Sequence, residues 1–282
     1  MRLTTKIIIG IFVSIFILSL LFIIGFSFTE RKNFNKTNFG IHVIKLPQEN
    51  KKEVNTESSR VIVLTVQTND KNRFTSWYSN EESGLFIRTA SATNEENKLF
   101  IPEALKDFIA IQTNQDTLIV KIKMDEVLEK YGYKDEALGI REAVQISGFN
   151  LCLYTSNVNV INKIRGIQTR ISNLEADSIK IYSAGDVIID SCKANVIEPE
   201  SGRKLTVSNS AAKVLNLDLD QTTNWNINNC DIAVRNYTGS KRYHTLTFSR
   251  PESGTINWQP KNNESELNIK IKGDSAQISI QM

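Results

Sequence analysis

The stretch Ala176–Ser210, ADSIKIYSAGDVIIDSCKANVIEPESGRKLTVSNS, repeats one short pattern with small changes. Pairs of apolar residues separated by one polar residue recur along it, with short polar segments such as Ser-Ala-Gly-Asp between the pairs. Because successive side chains of a β-strand point to opposite faces of a sheet, each pair predicts a short strand with one buried face. We expect a core lined by Ile179, Ile181, Val187 and Ile189, and outward side chains at Lys180, Tyr182 and Ile188.

The same alternation continues from Val144 to the C-terminus. Two neighbouring apolar pairs take up roughly 20 residues, a length typical of one unit in a stacked-repeat protein. Tight hairpins usually contain Asn-Gly or Asp-Gly, and neither dipeptide occurs in the chain. The sequence therefore predicts a mainly β fold with a right-handed β-helix-like (β-solenoid) domain over 144–282. A β-sandwich is the alternative.

Residues 7–28, IIIGIFVSIFILSLLFIIGFSF, contain no charged side chain. As a helix with a rise of 1.5 Å per residue, this run spans about 33 Å, enough for a bilayer core of about 30 Å. We predict a transmembrane signal-anchor helix at 7–28 after an N-terminal tail at 1–6. A signal peptide cleaved near Gly25-Phe26-Ser27 is the alternative.

A stretch rich in Asn, Lys and Glu follows at 29–59 and predicts a polar stalk. Nearly all of the chain comes after the apolar segment, and a membrane helix placed before one large domain usually serves to export that domain. We therefore expect a single-pass membrane protein whose C-terminal domain is extracytoplasmic, in the periplasm or at the cell surface. The charges that flank the segment are balanced and do not decide its orientation.

Residues 60–143 are less regular than the remainder. RVIVLTV at 60–66 predicts a strand, and the segment 124–143 predicts one short helix or an irregular excursion. The end of a stacked-repeat domain presents unpaired strand edges and an apolar cross-section. We expect 60–143 to form a β-rich cap on the repetitive β-stack at 144–282.

Charge and cysteine content narrow the class of protein. The formal net charge of +3 is spread along the chain, which is unlike the concentrated basic face of nucleic-acid-binding proteins.

The chain has three cysteines, Cys152, Cys192 and Cys230, and no two of them are closely spaced. Neither a zinc knuckle nor a Cys-x-x-Cys motif is therefore present. Each cysteine lies in or beside an apolar alternation, which favours a small buried side chain. One disulfide with one remaining thiol is the alternative.

The sequence contains no recognisable motif for catalysis, cofactor binding or metal binding, and His42 and His244 lie far apart. We assign no catalytic, cofactor-binding or metal-ligating residue and no cofactor. The best carboxylate candidates are Asp218 and Asp220, which period two places with Asn216 on one outer face, about 7 Å apart. That spacing suits a calcium ion or an acid–base pair, although a solvated strand face is the simpler interpretation.

Two weaker candidates remain. A second possible calcium site consists of Asp177, Asp186 and Asp190. The sequence around them lacks the Gly-rich repeat of calcium-binding β-helices. The segment FTSWYSN contains three aromatic residues, Phe74, Trp77 and Tyr78. They suggest a loop that stacks on sugar, and the simpler alternative is that they fill a hydrophobic core.

The repeated pattern from Leu174 to Val207 resembles the head domain of autotransporter-type adhesins of Bacteroidota, in which units of the form a-d-x-I-x-I-x-S-x-G-D-I-x-I recur. The positions that carry the resemblance are Ala176, Asp177, Ile179, Ile181, Ser183, Gly185, Asp186, Val187 and Ile189. It weakens after Trp225 and covers about half of the chain. The Ser-Gly-Ser-Gly-Asp turns of that family have a single counterpart here, Ser-Ala-Gly-Asp. The resemblance implies an exported, non-catalytic β-stack.

Together these expectations describe a non-enzymatic structural or adhesive module of the cell envelope. It would be held in the membrane through residues 7–28 and would bind a polysaccharide or protein outside the cytoplasm. Two alternatives stay open. An envelope enzyme acting on polysaccharide requires a groove with carboxylates of perturbed pKa, and an accessory subunit of a membrane complex requires an exposed apolar patch.

Overall fold

The computed structural model describes residues 18–19, 42–47, 51–56, 59–67, 76–79, 83–90, 95–131, 143–156, 158–222, 224–241, 244–248, 254–271 and 279–281. The chain divides into two compact units, Met1–Ile41 and His42–Met282. The predicted tail at 1–6, nearly all of the predicted membrane helix at 7–28 and the start of the predicted stalk lie outside the described residues. Within the described ranges, no helix has the length and apolar character needed to cross a bilayer.

The second unit is mainly β. Its described strands are, in chain order, β1 (His42–Lys45), β2 (Lys51–Asn55), β3 (Val61–Gln67), β4 (Ser76–Ser79), β5 (Gly84–Arg88), β6 (Lys98–Pro102), β7 (Ile109–Asn114), β8 (Thr117–Lys123), β9 (Ala143–Ser147), β10 (Asn150–Tyr154), β11 (Val158–Asn162), β12 (Gln168–Ser172), β13 (Glu175–Ser183), β14 (Val187–Asp190), β15 (Lys193–Ser201), β16 (Lys204–Ser208), β17 (Ala211–Asp218), β18 (Asn224–Asn228), β19 (Asp231–Gly239), β20 (His244–Phe248), β21 (Thr255–Pro260), β22 (Leu267–Ile271) and β23 (Ser279–Gln281).

Most of these strands belong to two large sheets. A ten-stranded sheet has the order β23-β21-β19-β17-β15-β13-β11-β3-β8-β7, and an eight-stranded sheet has the order β18-β16-β14-β12-β5-β10-β6-β2. Two smaller parallel sheets contain β1-β9-β4 and β20-β22. Two short helices lie between strands of the described chain, a 3₁₀ helix at Glu103–Phe108 and an α-helix, α1, at Met124–Lys130. They pack against each other, and α1 occupies the first part of the segment predicted to contain a helix.

From β11 to β19, consecutive strands alternate between the two large sheets, and each strand pairs in parallel with the strand two places further along the chain. One repeat therefore contains one strand from each sheet. Ile179 pairs with Ile197, and Ile197 pairs with Leu215, which is a shift of 18 residues at each step. Equivalent side chains of successive repeats consequently stack in rows with a spacing of about 4.8 Å.

The inner rows form one apolar core. The alternation predicted for 179–189 is confirmed, because the four predicted core residues Ile179, Ile181, Val187 and Ile189 are each at most 3% exposed. Lys180 and Tyr182 are exposed, whereas Ile188 is half-buried. Since Ile189 pairs with Ile171 on one side and Val207 on the other, each repeat covers the apolar side of its neighbour.

One turn of each repeat contains a residue in the left-handed backbone conformation. After each strand of the eight-stranded sheet from β12 to β18, one residue has φ near +50°, and these residues are Asn173, Ser191, Asn209 and Asn229. Asparagine tolerates this conformation better than most residues with a side chain. The amide of Asn229 donates a hydrogen bond to Asn209 Oδ1 (2.7 Å), and the amide of Asn209 donates one to Asp190 Oδ1 (2.9 Å). The turns are thus linked from repeat to repeat.

The turn Ser-Ala-Gly-Asp at 183–186 depends on a close approach of two repeats. The buried Ser183 Oγ accepts a hydrogen bond from the Gly185 N–H (3.2 Å), and Ser201, at the equivalent position of the next repeat, donates to the Gly185 carbonyl (2.9 Å). A Cβ on Gly185 would lie 2.3 Å from the carbonyl oxygen of Ile167, which leaves no room for a side chain. Glycine is therefore required here by contact with the preceding repeat.

Parallel pairing ends at the N-terminal side of both large sheets. β7 is antiparallel to β8, and β6 is antiparallel to β10 and β2. The outermost strand β2 is largely exposed and carries Lys51 and Lys52, a charged edge of the kind that resists pairing with other chains. β1 and β2 fall within the predicted stalk at 29–59, and β3 and β5 of the segment 60–143 pair directly with β11 and β12. The domain boundaries stay a prediction.

Shortening an inward and an outward side chain of β14 should lower the free energy of unfolding by different amounts. Ile189→Ala leaves a cavity between two repeats and should lower the free energy of unfolding by about 2–5 kcal/mol. The matched control is Ile188→Ala, one residue earlier and half-buried, which should cost less than half as much. Chemical denaturation of the full chain and both variants measures this difference, and equal losses would contradict the assignment of inner and outer faces.

Candidate binding surface

A groove of about 760 Å³ crosses β13, β15, β17 and β19 of the ten-stranded sheet. In β15 the buried Ala194 is followed by the exposed Asn195 and the half-buried Val196 before Ile197 returns to the core. The same interruption of the alternation occurs in β13, β17 and β19. The exposed residue at the interruption is left out of the strand pairing in each repeat. Because regular alternation is lost at the same point in each repeat, the four strands change direction together and leave a groove along the stack.

Two outward rows and a floor of small side chains line this groove. The first row contains Glu175, Lys193, Ala211 and Asp231, the second contains Asp177, Asn195, Lys213 and Ala233, and the floor contains Ala176, Ala194 and Ala212. Positive and negative side chains alternate along the stack. Neither row is a continuous acidic or basic strip.

The polar groups at the two ends of the groove differ in how they are paired. Glu175 pairs with Lys193 (3.1 Å), and the Asn195 amide donates a hydrogen bond to Asp177 Oδ1 (3.1 Å). The side chains of Lys213 and Asp231 make no hydrogen bond or ion pair with the described residues and are exposed. The groove therefore offers one ammonium group and one carboxylate that are not neutralised by a described side chain.

A second polar surface lies on the same sheet, beyond the bend. The amides of Asn236 and Asn257 each donate to the preceding amide in an asparagine ladder that begins at Asn216, with distances of 2.8 Å. Asn216 itself donates to Glu198 Oε1 (2.8 Å), and Glu198 pairs with Lys180 (2.9 Å). The ladder links side chains across five strands, and it ends at Asn257, whose buried Oδ1 has no hydrogen-bond partner among the described residues.

The predicted pair Asp218 and Asp220 meets a lysine that sequence reasoning missed. β17 ends at Asp218, and Asp220 lies in the turn that follows, so the regular outer row predicted from period two does not extend to Asp220. Lys261 Nζ lies 2.6 Å from Asp218 Oδ2 and 3.2 Å from Asp220 Oδ2. Lys261 is more than 40 residues later in a polar turn, and no local pattern identifies it as a partner.

The pKa values around this ion pair follow from its contacts. Burial alone would raise the pKa of Asp220, but hydrogen bonds from Ser240 and the nearby Lys261 outweigh it and lower the pKa to about 2. The hydrogen bond to Asp218 raises the pKa of Lys261. An acid–base catalyst requires a carboxyl group with a pKa near the working pH, and the ammonium group already occupies the space between the carboxylates.

The other sequence candidates do not come together. Asp177 lies in the groove, Asp186 accepts a hydrogen bond from the Lys204 N–H in one turn, and Asp190 accepts one from Ser208 in the other. No group of three or more His, Cys, Asp or Glu side chains in the described ranges is arranged to hold a metal ion. His42 begins β1, whereas His244 begins β20 in another sheet, where its buried ring lies 3.5 Å from Asp220.

The aromatic candidates fall only partly within the described chain. Trp77 and Tyr78 belong to β4, a short parallel strand paired with β9, and Phe74 lies outside the described residues. The predicted sugar-stacking loop is therefore a strand over the part that is described. Tyr78 is not among the residues that line the groove.

The groove itself was not predicted, although the sequence contains a signal for it. The triplets Glu-Ala-Asp at 175–177, Lys-Ala-Asn at 193–195 and Ala-Ala-Lys at 211–213 recur at intervals of 18 residues. A central alanine between two outward residues marks the floor and the two walls. Aligning the repeats at this interval, instead of following the alternation strand by strand, identifies the positions.

The cysteines occupy separate places in the stack. Cys192 and Cys230 fill the same turn position before β15 and β19, two repeats apart, with Ser210 at the position between them. Two row spacings are about 9.6 Å, which exceeds the Cα separation of about 7 Å that a disulfide can bridge. Cys152 is buried in β10 between Phe86 and Phe100 of the neighbouring strands. Burial raises the pKa of the Cys192 thiol.

Comparisons with known proteins identify two similar crystal structures. No family model and no curated protein matches the chain. Two crystal structures are similar, each of a "putative adhesin", one from Parabacteroides distasonis and one from Parabacteroides merdae. Both are 9% identical in sequence; the first covers 85% of this chain with a TM-score of 0.34, and the second covers 86% with a TM-score of 0.28. All of each structure is covered. Similarity at this level does not assign a function.

The lowered pKa of Asp220 predicts acid sensitivity. As the pH falls, the unfolded chain takes up a proton near the ordinary value of 3.8, whereas the folded chain resists until about 2. The stabilisation by ionised Asp220 is thus complete above about pH 4 and is lost between about pH 4 and pH 2. Unfolding free energies measured from pH 6 to pH 2.5 should fall more steeply in the parent chain than in Asp220→Asn. The control is Asp231→Asn, an exposed carboxylate without an ion-pair partner in the described chain, and it should keep the slope of the parent.

The position of the cysteines predicts three thiols. Thiol titration of the denatured chain should give three groups per chain without prior reduction, because Cys192 and Cys230 are too far apart to join and Cys152 lies in another sheet. In the folded chain Cys192 should react slowly, since its thiol is buried. A count of one thiol before reduction and three after it would refute this arrangement.

Proposed function

We propose that this chain is a non-enzymatic ligand-binding module built as a right-handed β-helix-like stack, with adhesion as its role. The observation that carries the proposal is the groove across β13, β15, β17 and β19, which combines charged and amide side chains with a floor of alanine. Its volume of about 760 Å³ is within the range of ligand sites, and its walls are parts of paired strands. A site on strands is held more rigidly than one on loops.

The topology supports the β-helix-like proposal over a sandwich. Parallel partners one repeat apart, with strands alternating between two sheets, are expected for a chain that winds around one core. Sandwich sheets are antiparallel in the families that define that architecture. On this basis we extend the proposed stack from 144–282 to include β3 and β5, which pair with its first strands.

We also propose that the module works outside the cytoplasm, in the periplasm or at the cell surface, and that residues 7–28 hold it in the membrane. The support is the uncharged segment at 7–28 and the polar segment that follows it. Residues 42–55, assigned to the stalk from sequence, contain β1 and β2, so the proposed stalk is confined to 29–41.

Neither alternative is favoured by a particular observation. For an enzyme acting on polysaccharide, Asp218 and Asp220 are the predicted pair, and both are bound to Lys261. For an accessory subunit, an apolar patch is needed, and the exposed large hydrophobic side chains of the second unit among the described residues are Val43 and Tyr182.

Whole cells that produce the full chain provide the test. We expect them to adhere to surfaces coated with polysaccharides or extracellular-matrix proteins more strongly than cells without the chain, and external protease should abolish this adhesion. Ala233→Trp fills the groove from an exposed position and should lower adhesion at least tenfold. The matched control is Asn226→Trp, at an exposed position of β18 in the other large sheet, which should adhere like the parent.

Three results would contradict the proposal. Adhesion that is unchanged in Ala233→Trp would remove the groove from the function. A domain that is protected from protease until the inner membrane is broken would place it in the cytoplasm. Absence of any adhesion that depends on the chain would remove the adhesive role.

A further inference from the structure

We infer that the groove binds a neutral polysaccharide, which lies along the stack with about one sugar unit per repeat. This inference rests on the proposed function, because it names the ligand of the same groove. Three features support it: the arrangement of charge, the spacing of the rows and the chemistry of the lining.

The arrangement of charge disfavours a charged polymer. Along the first row Glu175 is followed by Lys193 and, after one alanine, by Asp231; along the second, Asp177 is followed by Asn195 and Lys213. A polyanion that lies in the groove meets three carboxylates, and a polycation meets two ammonium groups. Because charges of opposite sign alternate along the groove, either polymer is repelled at some positions wherever it is attracted at others. A neutral chain avoids this cost.

The spacing of the rows disfavours an extended peptide. Equivalent residues recur along the groove every 4.7–4.9 Å or so, whereas an extended peptide advances about 3.3 Å per residue. Its side chains would therefore fall out of step with the repeats within two residues. β15 and β17, which line the middle of the groove, are also paired on both sides there, so a peptide in the middle of the groove cannot join the sheet as an additional strand. The length of one pyranose unit in an extended polysaccharide is close to the spacing between neighbouring repeats.

The lining matches hydroxyl groups. A sugar hydroxyl both donates and accepts hydrogen bonds, and the groove offers acceptors at Asp177 and Asp231, donors at Lys213, and both at Asn195. Lys213 and Asp231 have no partner among the described side chains, so a bound sugar can hydrogen-bond to both without displacing a described contact. The alanine floor lets the face of a ring approach the backbone.

The length of the groove sets the length of the ligand. Four strands contribute to it, and three row spacings amount to about 14 Å. A segment of about four sugars therefore fills the groove. Shorter fragments leave part of the lining without contact, and we expect affinity to rise with chain length up to that size and then to level off.

The test uses the full chain in detergent and defined soluble polymers. The probes are three neutral polysaccharides, laminarin, mannan and arabinogalactan, together with polygalacturonate as a polyanion, chitosan as a polycation and gelatin as an extended protein. We expect at least one neutral polymer to bind in calorimetry, with an affinity that changes less than threefold between 50 and 500 mM NaCl, since few ionic contacts are made. Its tetrasaccharide should compete at least tenfold better than its disaccharide.

Groove variants connect this binding to the proposed site. Ala233→Trp should lower the affinity for the neutral polymer at least tenfold, whereas Asn226→Trp should leave it unchanged. Lys213→Met and Asp231→Asn remove the two groups without partners and should each weaken binding several-fold, with unchanged thermal unfolding. An unchanged affinity in all three groove variants would show that the polysaccharide binds elsewhere and would overturn the inference.

Other results overturn the inference without affecting the proposed function. Preference for polygalacturonate or chitosan, with an affinity that falls steeply with salt, would identify a charged ligand, and binding to gelatin alone would identify a protein. Periodate treatment of the coated surface in the adhesion assay separates the two proposals. Adhesion that survives oxidation of the sugars and is still lost in Ala233→Trp means that the groove binds another ligand, whereas absence of adhesion on every untreated surface means that the proposed function fails.

Discussion

Parallel pairing of each strand with its equivalent one repeat later is the constraint on which the rest of the structure depends. It places every side chain directly beside the side chain at the same position of the next repeat, with a spacing of about 4.8 Å. Inside, this produces continuous rows of Ile, Val and Leu that no single repeat can bury alone. The close approach of repeats also explains Gly185, where any side chain would collide with the Ile167 carbonyl oxygen. A substitution at one inner position therefore alters the packing against both neighbouring repeats.

The same constraint determines the outer surface. Identical charges at equivalent positions would repel each other strongly at this spacing, and the chain instead places Lys193 beside Glu175 and Lys180 beside Glu198. Where charges are absent, asparagine amides bond to one another from strand to strand, so that Asn236 both donates to Asn216 and accepts from Asn257. Lys213 and Asp231 in the groove make no such pair with the described residues, and both are exposed, so a ligand can contact them without breaking a contact within the sheet.

Contacts between repeats that are not neighbours add a second kind of linkage. Lys261 connects the end of β17 with the turn that follows β21, so two distant turns are joined by one ammonium group. Asp220 also accepts hydrogen bonds from the Ser240 N–H and lies beside the buried His244. These contacts hold the later repeats, whose sequences match the pattern of 176–210 less closely, in line with the regular ones.

The sequence alone determined the mainly β character, the inner face of the strands and the length of the repeat, because alternation with period two is a direct consequence of strand geometry. It also indicated four buried positions, Ile179, Ile181, Val187 and Ile189, and the exposed side chains of Lys180 and Tyr182. The partners of each strand, the groove and the ion pair at Lys261 were decided only by the tertiary structure. Asp218 and Lys261 are 43 residues apart, and Glu175 and Lys193 meet only because their strands are stacked. Local patterns report which face of a strand is apolar, whereas the residues that meet across an outer row depend on the register between repeats.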